Sequence, residues 1–169
     1  HCLVNSSCGP QITSNPASLT VLPQTQVIDQ PVDIEECMGM DITLDLVATG
    51  TGLTYNWKKN GVNLSNTGRV SGSDSENLGI SDLQLTDAGV YSCEVSGICG
   101  VDISDPVNLS VMEEVNITLH PIDKNACPGD NVSFSVNATG TGLTYQWQHN
   151  NMDIPGANDP LLNLSAVDN

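Results

Sequence analysis

Six cysteines are the residues of this chain best placed to do chemistry: Cys2, Cys8, Cys37, Cys93, Cys99 and Cys127. An even set of thiols suits oxidation to disulfides in an oxidising compartment. Zinc is a weaker use for them, because no Cys-x-x-Cys pair and no nearby His cluster occurs. Cys93 and Cys99 flank Val95-Ser96-Gly97, which suits a hairpin with a three-residue loop and Gly at its left-handed position. That register predicts a local Cys93–Cys99 bridge, the two residues facing each other within bridging reach. Cys2 and Cys8 share the spacing and the expectation. Buried free thiols and a different strand path remain open alternatives.

No other constellation points to catalysis. His1, His120 and His149 fall in different parts of the chain, and no Ser or Cys nucleophile has a motif around it. The chain therefore reads as not an enzyme, with no cofactor expected. The acidic stretch Ser73-Asp74-Ser75-Glu76 lacks the D-x-D-x-D-G spacing of a calcium loop, so no metal site is expected. The net charge is −16, with only Lys58, Lys59, Arg69 and Lys124 basic. Nucleic acid and anionic membranes are poor partners, since both need clustered Lys and Arg. Acidity of this kind chiefly supports solubility, with divalent-cation binding as the sharper alternative.

The elements that must position the cysteines form a tandem repeat. Cys2 matches Cys93, Cys8 matches Cys99 and Cys37 matches Cys127, each pair 90 or 91 residues apart. Ala48-Thr-Gly-Thr-Gly-Leu-Thr-Tyr55 recurs unchanged as Ala138 to Tyr145, and Trp57 recurs as Trp147. That period is too long for the common helical solenoids and suits small β domains in series. Apolar residues alternate with polar ones at Ile42, Leu44, Leu46, at Val132, Phe134, Val136, and at Val107, Leu109, Val111. Such alternation puts one strand face in a core and the other in water. Turn residues at Gly50, Gly52, Asn60-Gly61 and Pro155-Gly156 separate the strands. No run of about eighteen apolar residues is present, so no membrane insertion is expected.

The block Asp87-x-Gly89-x-Tyr91-x-Cys93 resembles the signature entering strand F of an immunoglobulin-like sandwich. The resemblance implies that Trp57 packs across the core from strand C and that Tyr91 forms the tyrosine corner. It implies the same core role for Trp147. The strand-B position that usually carries a partner cysteine is Leu46 here and Val136 in the last copy. The fold class is thus all-β: tandem immunoglobulin-like β-sandwiches, with the terminal ones incomplete and completed head-to-tail. Residues 1–22 read as strands F and G alone, 24–112 as a complete domain, and 115–169 as a domain lacking F and G. Within this layout Cys37 lies at one pole of its sandwich and Cys99 at the other. They are too far apart to pair within one domain, but could meet across a domain junction.

The repeats, with Ala-Thr-Gly-Thr-Gly-Leu-Thr-Tyr-x-Trp and a late Cys-Gly, resemble the tandem immunoglobulin-like repeats of large bacterial (Bacteroidota-type) cell-surface and adhesin proteins. The resemblance implies an extracellular fibre or adhesin segment, on a cell surface or secreted, and transfers no catalytic residue. A carbohydrate- or protein-binding module is the alternative. The aromatics sit at core-patterned positions, which counts against a lectin. Residues 1–22 and the last domain are separated by the middle one, roughly 30–40 Å long. The partner expected is therefore another copy head-to-tail, or the continuation of one long chain. Seven Asn-x-Ser/Thr triplets, at Asn5, Asn63, Asn108, Asn116, Asn131, Asn137 and Asn163, are candidate glycan sites.

Overall fold

In the computed structural model, which describes residues 1–168, the alternating segments form two facing sheets in the middle of the chain. One holds Ile42–Asp45 against Asn77–Ile80, with Val70–Ser71 beyond it. The other runs Ile34–Cys37, Val107–Met112, Gly89–Gly97, Thr54–Lys59, Val62–Asn63. In strand letters, the first sheet is B, E and D, and the second is A′, G, F, C and C′. The A′–G pairing is parallel, Leu109 beside Ile34 and Met112 beside Cys37. A first strand, Gln26–Asp29, pairs instead with Val47–Thr49.

Ile42 and Leu44 point inward from one sheet, and Tyr91, Cys93 and Val95 from the other. They meet Leu46, Trp57, Leu78, Ile80 and Leu83 in one core. Trp57 is 0% exposed, and its indole N–H donates to the Ser75 carbonyl at 2.9 Å. The Tyr91 hydroxyl donates to the Asp87 carbonyl at 2.7 Å, closing the tyrosine corner. Buried aromatics need such a partner for their polar end. Leu46 lies in the same core as Cys93, where the strand-B cysteine would otherwise stand. Among the described residues the only helical segment is the single turn Leu85–Asp87.

The flanking segments form two-stranded sheets among the described residues. In the last unit Asn116–Leu119 pairs with Asn137–Thr139, and Val132–Ser135 with Leu161–Leu164, as A–B and B–E do in the middle unit. Residues 145–147, the counterpart of strand C, join no ladder among the described residues. At the other end Leu3–Val4 and Ile12–Thr13 form a hairpin of their own.

Candidate functional site

The N-terminal hairpin repeats several bonds of the Gly89–Gly97 and Gly100–Ile103 hairpin. Ser14 N–H donates to the Cys2 carbonyl at 2.8 Å, and Ser104 N–H to the Cys93 carbonyl at 2.9 Å. Cys2 N–H reaches Ser14 Oγ at 2.8 Å, and Cys93 N–H reaches Ser104 Oγ at 2.9 Å. Leu3 faces Thr13 as Glu94 faces Ile103. The burial is opposite. Cys93, Leu109 and their neighbours are enclosed, whereas Leu19 is 90% exposed and Val21 85%. Among the described residues these two strands pair only with each other.

The last segment leaves its counterpart of strand C outside any ladder among the described residues. Trp147 repeats the local bonds of Trp57: its indole N–H donates to the Asp159 carbonyl at 2.9 Å, and its carbonyl accepts from Ile154 N–H at 2.9 Å. Its ring sits 6.4 Å from Phe134. Yet Trp147 and Val136 are only half-buried, unlike Trp57 and Leu46. The reason is local: no strand lies beside residues 145–147 to close the sheet over them. An open groove of about 610 Å³ runs along Phe134, Trp147, Ile154, Leu162 and Leu164. A second, of about 300 Å³, lies between Val115, Val136, Leu143 and Trp147.

The cysteines differ from the local-bridge expectation. Strand F continues through Ser96, opposite Thr54, to Gly97, opposite Gly100. The turn is therefore Ile98-Cys99, and Cys93 lies back in the strand rather than opposite Cys99. The cause is the core: Cys93 and Val95 both point into it, so pairing with strand C carries the strand past the expected loop. All six thiols are unpaired. Burial pushes the Cys93 thiol up to about 11. Cys37 and Cys99 are half-buried at opposite poles, and Cys2, Cys8 and Cys127 are exposed.

All seven candidate glycan asparagines, Asn5, Asn63, Asn108, Asn116, Asn131, Asn137 and Asn163, have exposed side chains. Among the described residues, no group of three or more His, Cys, Asp or Glu is placed to hold a metal ion. Much of the acidity has local work instead. Asp102, Asp33, Asp41 and Asp130 accept backbone N–H groups of Val27, Asn108, Asp82 and Cys127. Arg69 was not singled out by sequence reasoning, yet its guanidinium forks onto both Asp87 oxygens at the tyrosine corner. Its scarcity was the available signal, as the sole arginine in the chain. Burial opposes ionisation of Asp87, but hydrogen bonds from Arg69 and the Gln84 N–H outweigh it and hold the carboxyl below its usual range.

Residues 25–111 match the immunoglobulin I-set domain model. The chain belongs to the immunoglobulin I-set family. The I-set chain is 24% identical to human Roundabout homolog 2 over 157 residues, covering 91% of the chain and 11% of that protein. It is 28% identical to a sidekick homolog of Caenorhabditis briggsae over 130 residues, covering 74% of the chain and 6% of that protein. Extracellular domains 3–5 of Drosophila OTK superpose with a TM-score of 0.64 at 18% identity, covering 96% of this chain and 59% of that one. The I-set chain thus spans a small part of the curated relatives it matches, and these come from animals rather than bacteria. No helix among the described residues is long and apolar enough to cross a membrane.

Proposed function

We propose that this I-set chain is a structural segment of an extracellular fibre or adhesin, built of immunoglobulin-like units joined head to tail. One observation carries the reading: a hairpin with the bonds of the middle unit's F–G hairpin has its apolar residues exposed, and an open groove runs beside half-buried Trp147. Residues 1–22 of one copy complete the last unit of the next, or the same strands arrive from the continuing polypeptide. Either route gives an unbroken string of sandwiches, because a heterologous contact that does not close propagates. An exposed strand edge beside half a core is a ready template for such addition. The function is then reach and mechanical continuity, with the seven exposed asparagines available for a glycan coat. The repeated Ala48–Tyr55 motif supports a place among tandem repeats of bacterial cell-surface proteins, while the matched relatives are animal ones.

Sedimentation velocity of the full chain, under reducing conditions, tests the reading. Wild-type chain should grow in mass with concentration. Leu19→Asp should stop the growth, since Leu19 stands where Leu109 is buried. A chain that stays monomeric over the whole range, with its last unit folded, would overturn it.

A further inference from the structure

Two cysteines lie beside residues that hold the same place in the repeat, Cys99 beside Leu22 and Cys37 beside Met112. Cys99 sits in the F–G turn, and its Sγ lies 3.9 Å from the carbonyl oxygen of Leu22. Thr25 N–H donates to the Cys99 carbonyl across the same gap at 3.4 Å. At the opposite pole, Cys37 ends strand A′ beside Met112 in the parallel ladder. Met38 N–H donates to the Met112 carbonyl at 2.9 Å. Leu22 and Met112 occupy the same place in the repeat. The structure confirms the match three residues on: a Cβ on Gly50 would stand 3.3 Å from Thr25 Cα, and one on Gly140 3.0 Å from Val115 Cα. So the carbonyl that the F–G-turn cysteine approaches is the one flanked, in the preceding unit, by the strand-A′ cysteine.

We propose that these two cysteines form a disulfide across every junction, stapling each unit to the next. The inference rests on the head-to-tail reading above. In such an assembly Cys8 of the entering copy occupies the F–G turn of the last unit and meets Cys37 of the receiving copy. Cys127 of the receiving copy then lies beside Leu22 of the entering copy and meets that copy's Cys99. Cys37 lies one ladder spacing, about 4.7–4.9 Å, from Met112, and the F–G-turn thiol lies 3.9 Å from the equivalent carbonyl oxygen of Leu22, so both enter the neighbourhood that a disulfide, with Cα atoms about 4.4–6.8 Å apart, must span. Each bridge forms as two thiols lose two protons and two electrons, which reduce one small-molecule disulfide such as oxidised glutathione to two thiols. Cys93 is a core thiol and takes no part; Cys2, exposed in the free chain, holds the repeat position of Cys93 and enters the core of the completed unit.

The test is a disulfide map of the full chain after equilibration with oxidised and reduced glutathione, run beside sedimentation in reductant alone. Cys8–Cys37 and Cys99–Cys127 peptides, both between copies, are expected. Cys37→Ser should lose the first peptide and keep the second, and Cys99→Ser the reverse. A Cys93–Cys99 or Cys2–Cys8 peptide would overturn the staple. So would a chain that assembles in reductant yet leaves these four thiols free in oxidant, a result that leaves the head-to-tail reading standing. If the chain is monomeric in reductant with its last unit folded, that reading fails, and a tandem fusion decides the staple separately. It joins two copies through an inserted Thr86–Tyr91 sequence between Asn169 and the next His1. Cys37 of its first half linked to Cys8 of its second supports the bridge, and free thiols there refute it.

Discussion

Trp57 and Trp147 are the same residue in the same local bonds, one enclosed and the other half-open. Emptying the enclosed site should be costly. Trp57→Ala should lower the stability of the middle unit by about 3–5 kcal/mol in chemical denaturation, and a loss below about 1 kcal/mol would remove Trp57 from the core. Cys93 offers a test by titration. Burial holds its thiol at about 11, above its ordinary value of 9.0. A thiol raised on folding contributes stability that is intact below the ordinary value and is lost as pH rises towards the folded one. Denaturation midpoints should therefore fall across that alkaline window more steeply for wild-type than for Cys93→Ala, which keeps the fall that buried Tyr91 contributes above its ordinary value of 10.0, measured relative to each protein's own neutral value. Exposed Cys8 and Cys127 should alkylate at once in native protein, and Cys93 only on unfolding.

At the scale of elements, the corner between strands E and F binds its own charge. Asp87 ties Arg69 and the Gln84 N–H to the loop that Tyr91 closes. A carboxyl lowered on folding stabilises above the usual carboxylate value, about 3.9, and that stability is lost as pH falls through the lower folded value. Acid melting should steepen there for wild-type and flatten in Asp87→Asn. The start of strand A offers a second test. Thr25 Oγ1 is buried without a hydrogen-bond partner, close to the Cβ positions of Gly50 and Gly97. Val115 stands at the same place in the last unit. Thr25→Val should be neutral or stabilising by about 1 kcal/mol, since it removes an unsatisfied buried hydroxyl; a clear loss in thermal unfolding would mean the hydroxyl is satisfied in solution. The strands themselves were legible in the sequence, because alternation at Ile42–Leu46 and Val107–Val111 encodes which face is buried. The Cys93–Cys99 hairpin was not. Turn residues suggested a loop at 95–97, but burial of Val95 against strand C decided the register, and that contact is not local in sequence.

At the scale of the molecule, one complete sandwich lies between two surfaces that repeat its parts. The repeat made this legible: Cys2 aligns with Cys93 and Trp147 with Trp57 from spacing alone. What spacing did not show was the state of those parts, a formed hairpin with Leu19 and Val21 in water and an open groove at Trp147. The central claim is that these surfaces belong together. Amide hydrogen exchange read by mass spectrometry tests it most directly, at Tyr145–Trp147 and at Leu3–Val4, in chain held at low and then at high concentration in reductant. Both segments should be weakly protected when dilute, by the hairpin pairing and by the Trp147 N–H bond to Ala157, and should gain protection together as concentration rises, as new ladder bonds close the last unit. Protection that never appears at Tyr145–Trp147, or that is already complete at the lowest concentration, would contradict the account.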